Sequence, residues 1–142
     1  EAIRHIAANN PDVVAFLAEP IQGEGGVNEL NPAYLQAVRD ICDEQGWLMM
    51  LDEVQTGNGR SGNWFAYQHF GVTPDVMTLA KALGGGTPVA MCVARANCAD
   101  TLGPGKHGCT MGGNDPTRPR ATLRPSSLRS TSIFFPRVSV LM

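Results

Sequence analysis

The sequence predicts an α/β domain built on a mainly parallel sheet. Three observations carry this. Apolar runs of strand length recur at residues 13–18, 47–51, 76–80 and 88–94. A helical pattern separates the first two runs. Each of the first three is followed directly by a charged residue, Glu19, Asp52 or Lys81. Continuous apolar runs suit strands buried on both faces, as parallel strands are.

The elements follow in order. The run at 13–18 comes after Asn9-Asn10-Pro11-Asp12 and is ended by Pro20 and the glycine-rich Gln22-Gly23-Glu24-Gly25-Gly26. Asn31-Pro32 opens a helix, with Asn31 as N-cap and Pro32 in the first turn, where a missing N–H costs nothing. Leu35, Val38, Ile41 and Cys42 recur on one face, and Gly46 stops the helix. With the second strand, 47–51, this makes a βαβ unit and hence a right-handed crossover. Gly57, Gly59 and Gly62 form a loop, followed by a short helical stretch around Trp64 to Phe70 that ends at Gly71. Pro74-Asp75 precedes the third strand, 76–80, which delivers Lys81. Gly84-Gly85-Gly86 makes a turn, 88–94 a fourth strand, and 96–102 a short helix.

Bulk properties bound the function. A chain of 142 residues fits one domain, and 43% hydrophobic with 17% charged residues is a globular composition. A net charge of −2 offers no basic field for nucleic acid. No apolar run reaches the ~20 residues that span a bilayer. Glu1-Ala2-Ile3-Arg4-His5 has neither the basic flank nor the apolar stretch of a signal peptide, and the missing initiator Met points to an absent N-terminal part. Cys42, Cys92, Cys98 and Cys109 form no CxxC pair, which fits reduced thiols and a cytoplasmic protein.

Composition breaks near residue 115. Residues 1–114 hold twelve acidic and six basic residues; residues 115–142 hold Asp115 against five arginines, with four prolines, five serines and no lysine or glutamate. Proline at that density excludes a long helix. A basic tail for nucleic acid lacks interleaved aromatics, and a flexible linker is the plain alternative. The preferred reading is a segment out of frame with what precedes it, because Arg, Pro, Ser and Thr without Lys is what a GC-rich gene tends to yield in the wrong frame. Residues 1–114 are therefore the expected domain, and 115–142 an irregular, disordered or out-of-frame tail.

Ligands of open α/β sheets sit at the C-terminal ends of strands, where Glu19, Asp52 and Lys81 fall. A lysine amine can form a Schiff base with an aldehyde cofactor, and an acid beside a pyridine ring keeps its nitrogen protonated. Taken singly, Asp52 reads better as a turn or cap residue and Lys81 as a solvated surface lysine. Their shared placement at the ends of apolar strands, where charge is poorly accommodated, favours function. His5, His69 and His107 have no metal-ligand spacing, so no metal is expected. Arg60 reads as a loop-fixing residue. The glycines at 84–86 lack the GxGxxG order of a phosphate loop, which with the acidic first 114 residues argues against a nucleotide-binding module.

Five collinear strings, Glu19-Pro-Ile-Gln-Gly-Glu-Gly-Gly26, Leu51-Asp-Glu-Val-Gln-Thr-Gly57, Gly59-Arg-Ser-Gly62, Leu79-Ala-Lys-Ala-Leu-Gly-Gly-Gly86 and His107-Gly-Cys-Thr-Met-Gly-Gly-Asn114, resemble class III aminotransferases dependent on pyridoxal 5'-phosphate (PLP). Phe65-Ala-Tyr-Gln-His-Phe-Gly-Val-Thr-Pro-Asp75 is most similar to acetylornithine aminotransferases. The resemblance covers roughly residues 10–114 and implies part of the large domain of the PLP-dependent transferase type I fold. It implies Lys81 as cofactor-holding lysine and proton shuttle, Asp52 as partner of the pyridinium nitrogen, and Gln55 as partner of the phenolic oxygen. Val54 would pack on a ring face, and Thr110 would bind phosphate across a dimer interface. Glu24 would belong to the substrate site and Glu19 would lie near the cofactor. The implied reaction moves an amino group from N-acetylornithine, or a related ω-amino donor, to 2-oxoglutarate in arginine biosynthesis, by a cytoplasmic homodimer with neither nucleic acid nor membrane as partner.

The sequence departs from the family after Asn114, where Asp115 and the Arg/Pro/Ser segment replace an apolar helix and a small C-terminal domain. The substrate-gripping C-terminal arginine is not identifiable. On the N-terminal side, the phosphate loop and stacking aromatic are absent. The chain alone is therefore expected to have negligible activity, and the alternative reading is a truncated, inactive remnant of such an enzyme.

Overall fold

The computed structural model describes residues 1–102. A four-stranded sheet runs β1 (Ala15–Ala18), β4 (Leu48–Asp52), β5 (Val76–Leu79), β6 (Met91–Ala94) in that spatial order. β1 pairs parallel with β4, and β4 with β5, while β6 runs antiparallel to β5. The expected α/β class and mainly parallel sheet are observed. The reversal at β6 has a chain-length reason: the connection from β5, residues 80–90, is shorter than the roughly dozen or more residues a parallel crossover needs.

Helix α2 (Pro32–Gln45) joins β1 to β4. Its ends form as the residues dictate. Asn31 Oδ1 accepts from Ala33 N at 2.8 Å and Tyr34 N at 3.4 Å, and Gly46 takes the left-handed conformation at φ 68°. Leu35, Val38, Ile41 and Cys42 are buried against Trp47, Met49 and Leu51, with Ala66, Phe70 and Val72 completing the core.

Several elements differ from the expected ones. Helix α1 (Ala2–Asn9) precedes β1; Ile3 and Ala7 pack on the core and Arg4 pairs with Glu44 of α2 at 2.6 Å. Ile21–Gln22 (β2) pairs antiparallel with Asn28–Glu29 (β3), so the glycine-rich segment is a small hairpin rather than an open loop. Gly26 and Val27, with φ of 107° and 56°, turn that hairpin. The helix expected from Trp64 reduces to α3 (Tyr67–Phe70), and Trp64 is exposed. The helix at 96–102 is a single 3₁₀ turn, Ala99–Leu102.

Asp75 ties α2, β4 and the ends of β5 and β6 together at the N-terminal edge of the parallel strands. Its buried carboxylate accepts from Arg39 Nη1 at 2.7 Å, Met49 N at 2.9 Å and Arg95 Nη1 at 3.4 Å. Burial alone would raise the Asp75 pKa, but the Met49 N–H and the two guanidiniums outweigh it and hold the carboxyl below its ordinary value. Arg39 also meets Asp43 at 2.7 Å, and its Nε is buried without a partner among the described residues. No helix among the described residues is long and apolar enough to cross a membrane.

Candidate functional site

Because β1, β4 and β5 are parallel, their C-terminal ends open on one edge. Asp52 is the last residue of β4, in register with Thr78 of β5. Ala18 of β1 is in register with Leu51, so Glu19 and Asp52 each follow one step beyond that pair. Lys81 comes two residues after β5. The structure therefore brings Glu19, Asp52 and Lys81 to a common edge.

Lys81 has an unusual backbone. Its φ is 48°, one of three positive values among the described non-glycine residues. It opens a 3₁₀ turn, Lys81–Gly84, directly after Ala80. The left-handed region costs a residue with a Cβ about 1 kcal/mol, and such strain tends to persist where function fixes a side chain's direction. The Lys81 side chain is exposed and makes no salt bridge among the described residues.

Asp52 is half-buried, and its Oδ1 accepts from Val54 N at 2.9 Å. That local turn swings the chain off the strand and sets Val54 and Gln55, both half-buried, beside it. Gln55 Nε2 donates to Glu24 Oε1 at 3.4 Å, so the β2–β3 hairpin reaches the turn after β4. Glu19 Oε2 accepts from Gly23 N at 2.9 Å and steadies the hairpin's entry. Glu24 itself is exposed. Thr110 and His107 lie outside the described residues, as does the segment 115–142.

Sequence reasoning missed Glu53. It is fully buried, and its carboxylate takes three hydrogen bonds: from Thr56 Oγ1 at 2.6 Å, Ala66 N at 2.9 Å and Tyr67 N at 2.8 Å. No salt bridge reaches it among the described residues. Glu53 thus folds the glycine loop back against α3 and fixes the turn that carries Val54 and Gln55. Only its position next to Asp52, at the end of an apolar strand, could have signalled this. Farther out, the His69 ring meets Ser61 O at 2.7 Å and holds the loop's outer part, while Arg60 is exposed.

The arrangement offers an amine, a carboxylate and a carboxamide around one strand edge. An amine can form a Schiff base with an aldehyde, a carboxylate can hold a protonated nitrogen, and a carboxamide can donate or accept a hydrogen bond.

Residues 1–123 match the family model described as Aminotransferase class-III. An acetylornithine aminotransferase of Nitrosomonas europaea is 55% identical over 123 residues, 87% of this chain and 31% of that protein. Acetylornithine aminotransferase 1 of Bradyrhizobium diazoefficiens is 57% identical over 107 residues, 75% of this chain and 26% of that protein. Among solved structures, the ornithine aminotransferase of Toxoplasma gondii, with partial occupancy of PLP at its active site, superposes with a TM-score of 0.74. It is 42% identical and covers 82% of this chain, which spans 27% of it. The acetylornithine aminotransferase of Elizabethkingia anophelis gives the same TM-score, 0.74, at 41% identity, with 82% of this chain and 29% of that one covered. The chain thus spans less than a third of the length of these relatives.

Proposed function

Since the chain belongs to the class-III aminotransferase family, we propose that it supplies half of a PLP pocket. The enzyme concerned would transfer an amino group from N-acetylornithine, or a related ω-amino donor, to 2-oxoglutarate. The observation that carries this is the placement of Asp52 and Lys81 at neighbouring parallel strand ends, with Lys81 held in the left-handed conformation.

The residues present fit the ring end of the cofactor. Lys81 would hold its aldehyde carbon, Asp52 its ring nitrogen and Gln55 its phenolic oxygen, while Val54 would pack on a ring face. Thr110, from outside the described residues, would contribute to the phosphate site. Bound there, the cofactor would supply an electron sink for a carbanion at the substrate's reacting carbon. Everything else falls to the protein. The Lys81 amine, released from its hold on the aldehyde, would carry a proton at Nζ between neighbouring carbons. The Asp52 carboxylate would keep the ring nitrogen protonated, and the Val54 N–H fixes its orientation. Glu24, at the outer end of the hairpin, would meet the substrate.

The donor and the pathway, arginine biosynthesis, are supported by the acetylornithine aminotransferases among the relatives. The three described cysteines are free, in keeping with action in the cytoplasm. A homodimer would complete the site through Thr110. A second reading, in which the 142-residue chain turns over no substrate by itself, is supported by its span of less than a third of its relatives.

The test is to mix the purified chain with PLP, reduce with borohydride and map the modified lysine by mass spectrometry. The sequence holds two lysines, Lys81 and Lys106, so one serves as control for the other. Selective modification of Lys81 is expected. Equal labelling of both, or none, would remove the cofactor assignment. Turnover of N-acetylornithine with 2-oxoglutarate by this chain alone would overturn the second reading.

A further inference from the structure

Gly23 is not a glycine for the usual reason. Gly26, Gly46 and Gly71 have positive φ, which an L side chain adopts only with strain; Gly23 does not. Its backbone would accept alanine. What it lacks is room: a Cβ on Gly23 would sit 2.8 Å from Gln55 Cδ, closer still to Gln55 Nε2, and 3.4 Å from Gln55 Cγ. The Gln55 carboxamide therefore occupies the space where a side chain at position 23 would begin.

Gly23 is also unable to retreat. Its N–H is held by Glu19 Oε2 at 2.9 Å, and its carbonyl accepts from Gly26 N at 3.2 Å and Val27 N at 3.3 Å. Gln55, in contrast, reaches the slot with the tip of a flexible side chain, secured by a long 3.4 Å bond to Glu24. Gly57 makes the contrast clear. A Cβ there would meet the Glu53 carbonyl oxygen at 2.8 Å, which is backbone and cannot give way. Crowding at 57 would therefore strain the fold, whereas crowding at 23 would eject one side chain.

We infer that Gly23 is a positioning residue: the space its missing side chain leaves over Cα is the slot that holds and orients the Gln55 carboxamide. The slot joins the hairpin carrying Glu24, on the substrate side, to the turn carrying Asp52, Val54 and Gln55, on the cofactor side. A displacement of the hairpin thereby becomes a displacement of Gln55. The inference deepens the proposed function and rests on it only for what Gln55 does to the cofactor; the slot itself is a property of the ligand-free chain.

The experiment compares the full chain with Gly23→Ala, Gln55→Ser and the double variant. Three readouts are taken: thermal midpoint, the Gln55 side-chain amide signal in ¹⁵N-labelled protein (identified by its loss in Gln55→Ser), and the rate of selective Lys81 modification by PLP and borohydride. Gly23→Ala should keep its midpoint within about 4 °C of the parent, since only a side-chain tip must move. The Gln55 amide signal should move, while the backbone amides of Ala66 and Tyr67, held by Glu53, stay put. Lys81 modification should slow by about tenfold, the effect of losing one oriented hydrogen bond. The double variant should modify Lys81 no more slowly than Gln55→Ser alone, because the two changes act on one group. An unmoved Gln55 signal in folded Gly23→Ala, or additive losses in the double variant, would overturn the inference. So would a fall in midpoint that Gln55→Ser fails to restore. If the parent modifies both lysines alike, the cofactor assignment fails, and the Gln55 signal still decides the slot.

Discussion

Replacing Glu53 with glutamine swaps one carboxylate oxygen for an NH₂ group with almost no change of shape. Three donors converge on the parent side chain: the Thr56 hydroxyl and the Ala66 and Tyr67 amides. If the new NH₂ faces Thr56, the hydroxyl can turn to accept, but the Ala66 N–H loses its acceptor. If it faces Tyr67, that N–H is orphaned instead. Either way one backbone donor is left against another donor, at about 1–3 kcal/mol for a buried group. Relief of a buried charge offsets part of this, which places Glu53→Gln near the lower end, about 1–2 kcal/mol. Glu53→Ala removes the acceptor oxygens of all three hydrogen bonds and opens a cavity, so at least about 3 kcal/mol is expected. Urea unfolding measures the totals, and amide exchange at Ala66 and Tyr67 localises them: at least one of these two amides should exchange faster in Glu53→Gln while those of α2 do not. A Glu53→Gln variant within about 0.5 kcal/mol of the parent, the usual range for an unremarkable surface change, would refute the view that this carboxylate anchors the loop.

Two further expectations concern the scaffold. Asp75→Asn should cost about 3 kcal/mol, because it leaves Arg39 buried opposite a neutral group, whereas Arg95→Ala should cost under about 1 kcal/mol, since Arg95 is more than half exposed and its contact is 3.4 Å. As the Asp75 pKa is lowered on folding, its contribution is present above the ordinary Asp value of about 4 and is lost as pH falls through the lower folded value. The stability gap between parent and Asp75→Asn should therefore narrow on acidification, read from urea midpoints at a series of pH values. Asn31→Ala should cost about 1 kcal/mol by removing the cap on Ala33 and Tyr34, with the loss seen in exchange of the first turn of α2.

What the sequence disclosed depended on how local the deciding contacts are. Helix α2 was readable from end to end because its cap, first-turn proline, apolar face and terminal glycine all lie within one segment. The placement of Asp52 and Lys81 at strand ends was readable because each interrupts an apolar run at its end. Helix α1 was not: Glu1 provides no side-chain cap, and the helix docks through contacts to α2, including Arg4 to Glu44 forty positions away. The β2–β3 hairpin has strands of two residues, too short for any alternation to register. The burial of Glu53 depends on residues 66 and 67, and the slot over Gly23 on residue 55, so both emerge only when distant segments meet.

The positive φ of Lys81 sets two selective pressures against each other at one codon. Glycine would occupy the same backbone without the Cβ penalty, at a gain of about 1 kcal/mol, and would delete the amine. A population of variants chosen only for folding should drift toward glycine there, as stability and activity commonly trade at such positions. One chosen for chemistry should hold lysine and recover the loss elsewhere, in cap residues and core packing remote from the strand edge.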